Sequence, residues 1–284
     1  MFKRYLNLFL SLVLIIVIVT AYVFSITEIE LNNELRETSG LELINNELIT
    51  FNDSGGESKL YYLDFDGNII YERVIYGAIN NDWEDITKDS SYIYIADIGN
   101  NYDNRNNLNI IKVPIDKFST EKAELIKFSY PEQTLFNTSY DTSQYDAEAL
   151  ITIDDKLIIF TKNKLKNITE VYSLPKVPGE YKAEKIGSID TESVVTGGDY
   201  DKENKLLALT STRDFKVYNL LRIKNFNLDS LEVIDIRFNV IDSGVSQIEA
   251  VKLIEPDVVW FTSEAEETNK SARLIKCYYG IYPI

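Results

Sequence analysis

Residues 81 to 101 read NDWEDITKDSSYIYIADIGNN. Asp82 to Ile86 open a first strand, Lys88 to Ser91 are turn formers, and Tyr92 to Ala96 alternate aromatic with β-branched or small side chains as a half-buried strand does. Asp97-Ile-Gly-Asn-Asn then ends the second strand in a polar loop. In an antiparallel hairpin the start of the first strand lies beside the end of the second, so Glu84 and Asp85 are expected beside Asp97 and Asn100. One hairpin thereby brings a group of carboxylates to one edge.

The unit recurs. Ser39 to Ile44 turns at Asn45-Asn46 and returns as Glu47 to Gly55; Asp146 to Ile153 turns at Asp154-Asp155 and returns as Leu157 to Asn163. A fourth copy starts at Thr196-Gly-Gly-Asp199 and returns as Leu206 to Arg213, and a fifth runs from Ile248-Glu249 through Pro256-Asp257 to Val258 to Glu264. Gly40, Glu84, Glu148, Gly198 and Glu249 mark the copies at spacings of 44, 64, 50 and 51 residues. One or two weaker strands follow each hairpin. Four strands per repeat at a period near fifty is the pattern of a β-propeller. The expected fold is all-β, a single propeller over residues 26–284 with five blades, and the long gap after Glu84 leaves six as the alternative. The fifth unit lacks a last strand, and Ile26 to Leu31 is the spare segment that would close the ring.

Residues 1–25 place Lys3 and Arg4 before an apolar run from Tyr5 to Phe24. At ~20 residues the run is long enough to span a bilayer, and Val19-Thr20-Ala21 also offers small residues for cleavage, so it reads as a transmembrane or signal helix. The basic residues keep the amino end in the cytoplasm and put the rest of the chain, tethered or secreted, on the extracytoplasmic side. The net charge of -16 opposes nucleic acid and anionic surfaces. With no histidine, the commonest general base and the usual zinc ligand are absent. The single cysteine, Cys277, excludes an internal disulfide and reads as a small buried side chain in a terminal strand.

Asn52-Asp53-Ser54-Gly55, Asp82-Trp83-Glu84-Asp85-Ile86, Asp97-Ile98-Gly99-Asn100-Asn101 followed by Arg105, Tyr130-Pro131, Asp146-Ala147-Glu148-Ala149 and Thr161-Lys162 occur in that order. Over Ser39 to Glu264 the chain resembles a group of exported bacterial β-propellers, loosely similar to propeller phytases and esterase-like propellers. Members often carry His where this chain has Phe51, and they are often lipoproteins, for which no cysteine follows the apolar run here. The resemblance implies a propeller fold and export; it implies no particular activity.

Corresponding strand ends of all blades open on one face of a propeller. Asp53, Glu84, Asp85, Asp97, Asn100, Arg105, Glu148, Lys162, Asp199, Arg213, Glu249 and Glu264 are therefore expected around one mouth. Such oxygen ligands suit Ca²⁺ or Mg²⁺, with Glu84 and Glu249 the expected metal ligands because their hairpins lack a basic partner such as Lys162. The plainer role for Asp53 and Asp97, each near a glycine turn, is to accept backbone amides. Two functions fit: a monomeric, membrane-tethered binding module that presents the mouth to a protein, glycan or small molecule, or a divalent-metal-dependent hydrolase of a phosphoester or lactone that uses Glu84, Glu148 or Glu249.

Overall fold

The computed structural model describes residues 24–229, 231, 236–241, 247–265 and 271–279. Residues 1–23 lie outside this set, and with them the expected membrane or signal helix except for its end at Phe24 and Ser25, which open a strand instead. Among the described residues no helix is long and apolar enough to cross a membrane.

A first strand, β1 (Phe24–Glu30), precedes the repeats. Blade 1 comprises β2 (Thr38–Ile44), β3 (Glu47–Asn52), β4 (Lys59–Leu63) and β5 (Ile69–Val74). Blade 2 follows with β6 (Trp83–Lys88), β7 (Tyr92–Asp97), β8 (Asn109–Pro114) and β9 (Glu124–Ser129). Blade 3 contains β10 (Ala147–Ile153), β11 (Lys156–Thr161) and β12 (Thr169–Pro175); then β13 (Gly179–Lys182) crosses to pair in parallel with β9, and β14 (Glu184–Ile189) completes blade 3. Blade 4 is β15 (Val194–Asp201), β16 (Leu206–Thr212), β17 (Tyr218–Lys224) and β18 (Ile236–Ile241). Blade 5 is β19 (Ile248–Glu255), β20 (Val258–Ser263) and β21 (Arg273–Tyr279), closed by β1 as its outermost strand.

There are five blades. The innermost strands β2, β6, β10, β15 and β19 each pack on the next and β19 returns to β2. The closing contact runs from Phe24↔Tyr279 to Glu30↔Arg273, so the amino-terminal strand seals the ring as the spare segment required. The 64-residue interval holds loops instead of a sixth blade. They are tied down by Asp103, fully buried, whose carboxylate accepts from the amides of Gln144 and Tyr145 and from Thr138 Oγ1.

The apolar core lies between blades. Ile93 and Ile95 of β7 join Trp83, Ile86, Phe51 and Tyr62 at the blade 1–2 interface, whereas Tyr94 and Ala96 join Leu150, Leu157 and Ile159 at the blade 2–3 interface. The Tyr/Ile alternation that reads as a half-buried strand is thus buried on both faces, because every blade is covered on each side by a neighbour. Similar clusters fill the other three interfaces. The tight turns obey local chemistry: Asn45 and Asn46 have φ of 51° and 63°, the pair of positive values that a type I′ hairpin demands and Asn tolerates.

Polar ties join blades as well. The Asp85 carboxylate accepts from Leu150 N at 2.8 Å, linking blade 2 to blade 3, and Ser39 Oγ donates to Glu84 O at 2.7 Å, linking blade 1 to blade 2. Cys277 is buried in β21, as its sequence setting suggests.

Candidate acidic mouth of the propeller

Four of the five hairpins close at one end with the same bond. An amide just after the second strand donates to a carbonyl just before the first: Asp53 N to Glu37 O, Gly99 N to Asp82 O, Lys162 N to Asp146 O and Glu264 N to Gln247 O, at 2.8, 3.2, 2.7 and 3.0 Å. At this end every innermost strand, that of blade 4 included, carries a bulge. In β6 the register passes from Trp83↔Asp97 to Asp85↔Ala96, which leaves Glu84 as the unpaired residue. Glu148 and Glu249 occupy the same position in β10 and β19. Blade 1 has Gly40 and Leu41 there, and blade 4 has Thr196. The repeat mark in blade 4 is therefore Thr196 rather than Gly198, two residues further along the strand.

A bulge re-aims the side chain of its extra residue. The three glutamates converge with neighbours from the loops, since Glu84 feels the charges of Glu148, Asp53, Asp82 and Asp146, and Glu249 those of Glu148 and Glu264. Burial and this mutual repulsion drive the carboxyls upward: Asp53 to about 8, Asp82 to about 6 and Glu264 to about 7, with Glu84 and Glu249 well above the ordinary range. Glu148 is raised by burial, and Lys162, ion-paired to its Oε1, opposes that rise. Burial pulls Lys162 down, but the carboxylates of Glu148, Asp146 and Glu249 outweigh it and the ammonium is held well above its usual value.

The other expected mouth residues hold the scaffold. Asp97 is fully buried and accepts from Arg105 Nη2 at 2.8 Å, Asn81 Nδ2 at 2.7 Å and Asn109 Nδ2 at 2.9 Å. Arg105 also donates to Gly99 O at 2.7 Å, and Asn100 donates its amide to Asp146 Oδ1 at 2.7 Å. Asp85 turns into the blade 2–3 interface. Arg213 pairs with Glu192 on the exposed rim. Asp199 lies towards the far end of β15, between Lys252 Nζ at 2.9 Å and Leu253 N at 2.8 Å, so it is not a mouth residue.

The structure adds Asp82, Asp146, Lys164 and Gly99. Lys164 donates to Asp146 Oδ2 at 3.2 Å and lies 3.6 Å from the centre of the Tyr140 ring, while Lys162 lies 5.2 Å from that of Phe215. A Cβ at Gly99 would fall onto the carboxylates of Glu84 and Asp82, so only glycine lets them lie against that loop. Two carboxylate trios share Glu84: Asp53, Asp82 and Glu84, and Glu84, Asp146 and Glu148, with oxygens within 4.8 Å of one another in each. Hard oxygen donors of this kind suit Ca²⁺ or Mg²⁺. Glu249, expected as a ligand, belongs to neither trio.

No family model and no curated protein matches the chain, so its resemblance to propeller phytases rests on the quoted residues alone. Solved structures do match. The chain is similar to the PQQ-bound aldose sugar dehydrogenase of Streptomyces coelicolor, with TM-score 0.50 and 10% identity over 90% of this chain and 98% of that one. A glucose dehydrogenase-type oxidoreductase of Thermus thermophilus gives TM-score 0.50 and 8% identity over 89% and 100%. At such identity the likeness establishes a shared propeller fold, and the reactions of those enzymes remain theirs.

Proposed function

We propose that this chain is an exported binding propeller, tethered through the apolar run that precedes β1, whose acidic mouth is the ligand-binding face. The observation that carries the reading is the state of the two mouth lysines. Lys162 is held as an ammonium by Glu148, Asp146 and Glu249 and is not free to act as nucleophile or base, and Lys164, whose pKa burial lowers, is tied to Asp146 and Asn101 and lies against the Tyr140 ring. The chain has no histidine to activate a serine. What is left facing the channel is a set of acids and an aromatic rim in which Tyr102 and Tyr140 stand 52% and 38% exposed. That combination holds a ligand by charge and contact area.

The two carboxylate trios keep metal-dependent hydrolysis of a phosphoester or lactone as the second reading. Glycan and peptide arrays probed with the exported portion separate the two. Binding that is lost in an Asp53→Asn/Glu264→Gln variant and kept in Asp154→Asn, without turnover of p-nitrophenyl phosphate or a model lactone in Ca²⁺, Mg²⁺ or Mn²⁺, supports the binding reading. Turnover abolished by Glu148→Gln would replace it. Mass analysis of the membrane-bound protein tests the tether, and a mature start at Tyr22 would mean a cleaved signal instead.

A further inference from the structure

Nine acids are buried among the described residues, and eight of them have a partner on the carboxyl group. Asp85 and Asp97 hold amides or a guanidinium, Glu148 holds Lys162, and Glu42 and Asp199 share Lys252 at 2.6 and 2.9 Å. Asp103, Asp146 and Glu170 are likewise engaged. Glu84 is the exception: it is 5% exposed, yet among the described residues its carboxyl accepts no hydrogen bond and meets no cation within ion-pair distance. An enclosed carboxyl left alone in this way is strongly disfavoured, and neighbouring acids make it worse.

We infer that Asp53, Asp82 and Glu84 bind one Ca²⁺ ion at the junction of blades 1 and 2. The three carboxyls bring oxygens within 4.8 Å of one another from two elements, the loop after β3 and the start of β6. Among the described residues the Asp82 carboxyl, like that of Glu84, takes no hydrogen bond, and of the Asp53 oxygens only Oδ1 does, from Ser54 N. Gly99 keeps the space beside Glu84 and Asp82 clear of a side chain. The alternative trio of Glu84, Asp146 and Glu148 already carries Lys162 and Lys164, two positive charges that repel an ion and neutralise the acids. The ion therefore belongs on the lysine-free side. An all-oxygen set without nitrogen or sulfur selects a hard cation. Ligands drawn from two blades suit the loose geometry of Ca²⁺ better than the strict octahedron of Mg²⁺.

This inference concerns the mouth taken above as the binding face and rests on that reading for its biological use, but the ion is detected without any partner. A flat array leaves the calcium site standing, and a failed calcium titration leaves the binding face standing. The full chain, solubilised and stripped with EDTA, is melted with and without CaCl₂ and titrated calorimetrically. Saturating Ca²⁺ is expected to raise the melting temperature by about 5 °C or more by mass action on the folded state. Glu84→Gln removes the shift and, since it replaces an unpartnered buried carboxyl with a neutral amide of the same shape, melts no lower than the stripped wild type. Asp82→Asn, which leaves the buried position untouched, weakens Ca²⁺ binding about tenfold or more and keeps the reading falsifiable if Glu84→Gln does not fold. Glu249→Gln keeps the full shift. An unmoved wild-type melting temperature in millimolar Ca²⁺, a shift undiminished in Glu84→Gln, or a shift produced by Mg²⁺ and not by Ca²⁺ overturns the assignment.

Discussion

Asp85→Ala tests whether the acid next to Glu84 is a strut between blades. Asp85 is 2% exposed, and its two oxygens accept from Ile86 N and Leu150 N, both at 2.8 Å. Truncation leaves both amides buried without an acceptor, at about 1–3 kcal/mol each, or roughly 2–6 kcal/mol together. Burial already holds the Asp85 carboxyl well above its ordinary range, so removing it also relieves a desolvation penalty, and the lower half, about 2–4 kcal/mol, is expected. For a chain of this size that corresponds to about 5–15 °C in melting temperature. Asp85→Asn keeps one carbonyl oxygen and should lose about half as much. Urea unfolding in saturating Ca²⁺ supplies the measurement, and the calcium shift itself should be unchanged in Asp85→Asn. A loss below ~0.5 kcal/mol for Asp85→Ala would refute the strut.

Lys252→Met leaves Glu42 and Asp199 buried without their shared ammonium and should cost about 3–5 kcal/mol, read as a lowered guanidinium midpoint. Burial, and then the charges of Glu37 and Glu148, raise Glu264 from its ordinary 4.5 to about 7. The folded protein thus retains a proton that the unfolded chain releases, so this group's stabilisation is complete below pH 4.5 and lost as pH rises through 7. Urea midpoints in chelator should fall between pH 5 and 8, and Glu264→Gln should flatten that fall. A chain beginning at Asn32 lacks β1 and opens the edge of β21; size exclusion should show association, and a peptide of residues 24–31 should reverse it.

The propeller was legible because its signals are local. Asn-Asn and Asp-Asp turns between short apolar runs announce hairpins, and a residual strand at the amino end matched the missing strand of the last repeat. The bulge position in blade 4 was not legible, since Thr196 and Gly198 differ by two residues and a two-residue shift keeps every side chain on the same face of a strand. β13 was also hidden: GEYK has no strand pattern of its own, and its pairing with β9 is set by tertiary contact. At the mouth, Asp82 and Asp146 carried a readable mark, the Asp-x-Glu spacing shared by Asp82-Trp83-Glu84 and Asp146-Ala147-Glu148. The Lys162–Glu148 pair was readable because both come from one hairpin; the neutralisation of Asp146 was out of reach, because Lys164 arrives from a loop that no periodicity orders.

The bulge separates what a blade recognises from what makes it a blade. Glu84, Glu148 and Glu249 occupy the position near the mouth end of their inner strands that the hydrogen-bonded ladder skips, and Thr196 in blade 4 and the pair Gly40-Leu41 in blade 1 occupy it without any carboxylate while their blades remain intact. In blades 2 to 5 the residue there takes no part in the ladder, whereas at Gly40, with φ of 62°, a Cβ would meet Phe51 and Ile86 in the blade 1–2 interface. Blades 2 to 5 thus each offer an interchangeable position at a common well, and the contents of that well can be rewritten piece by piece while the architecture around it is kept.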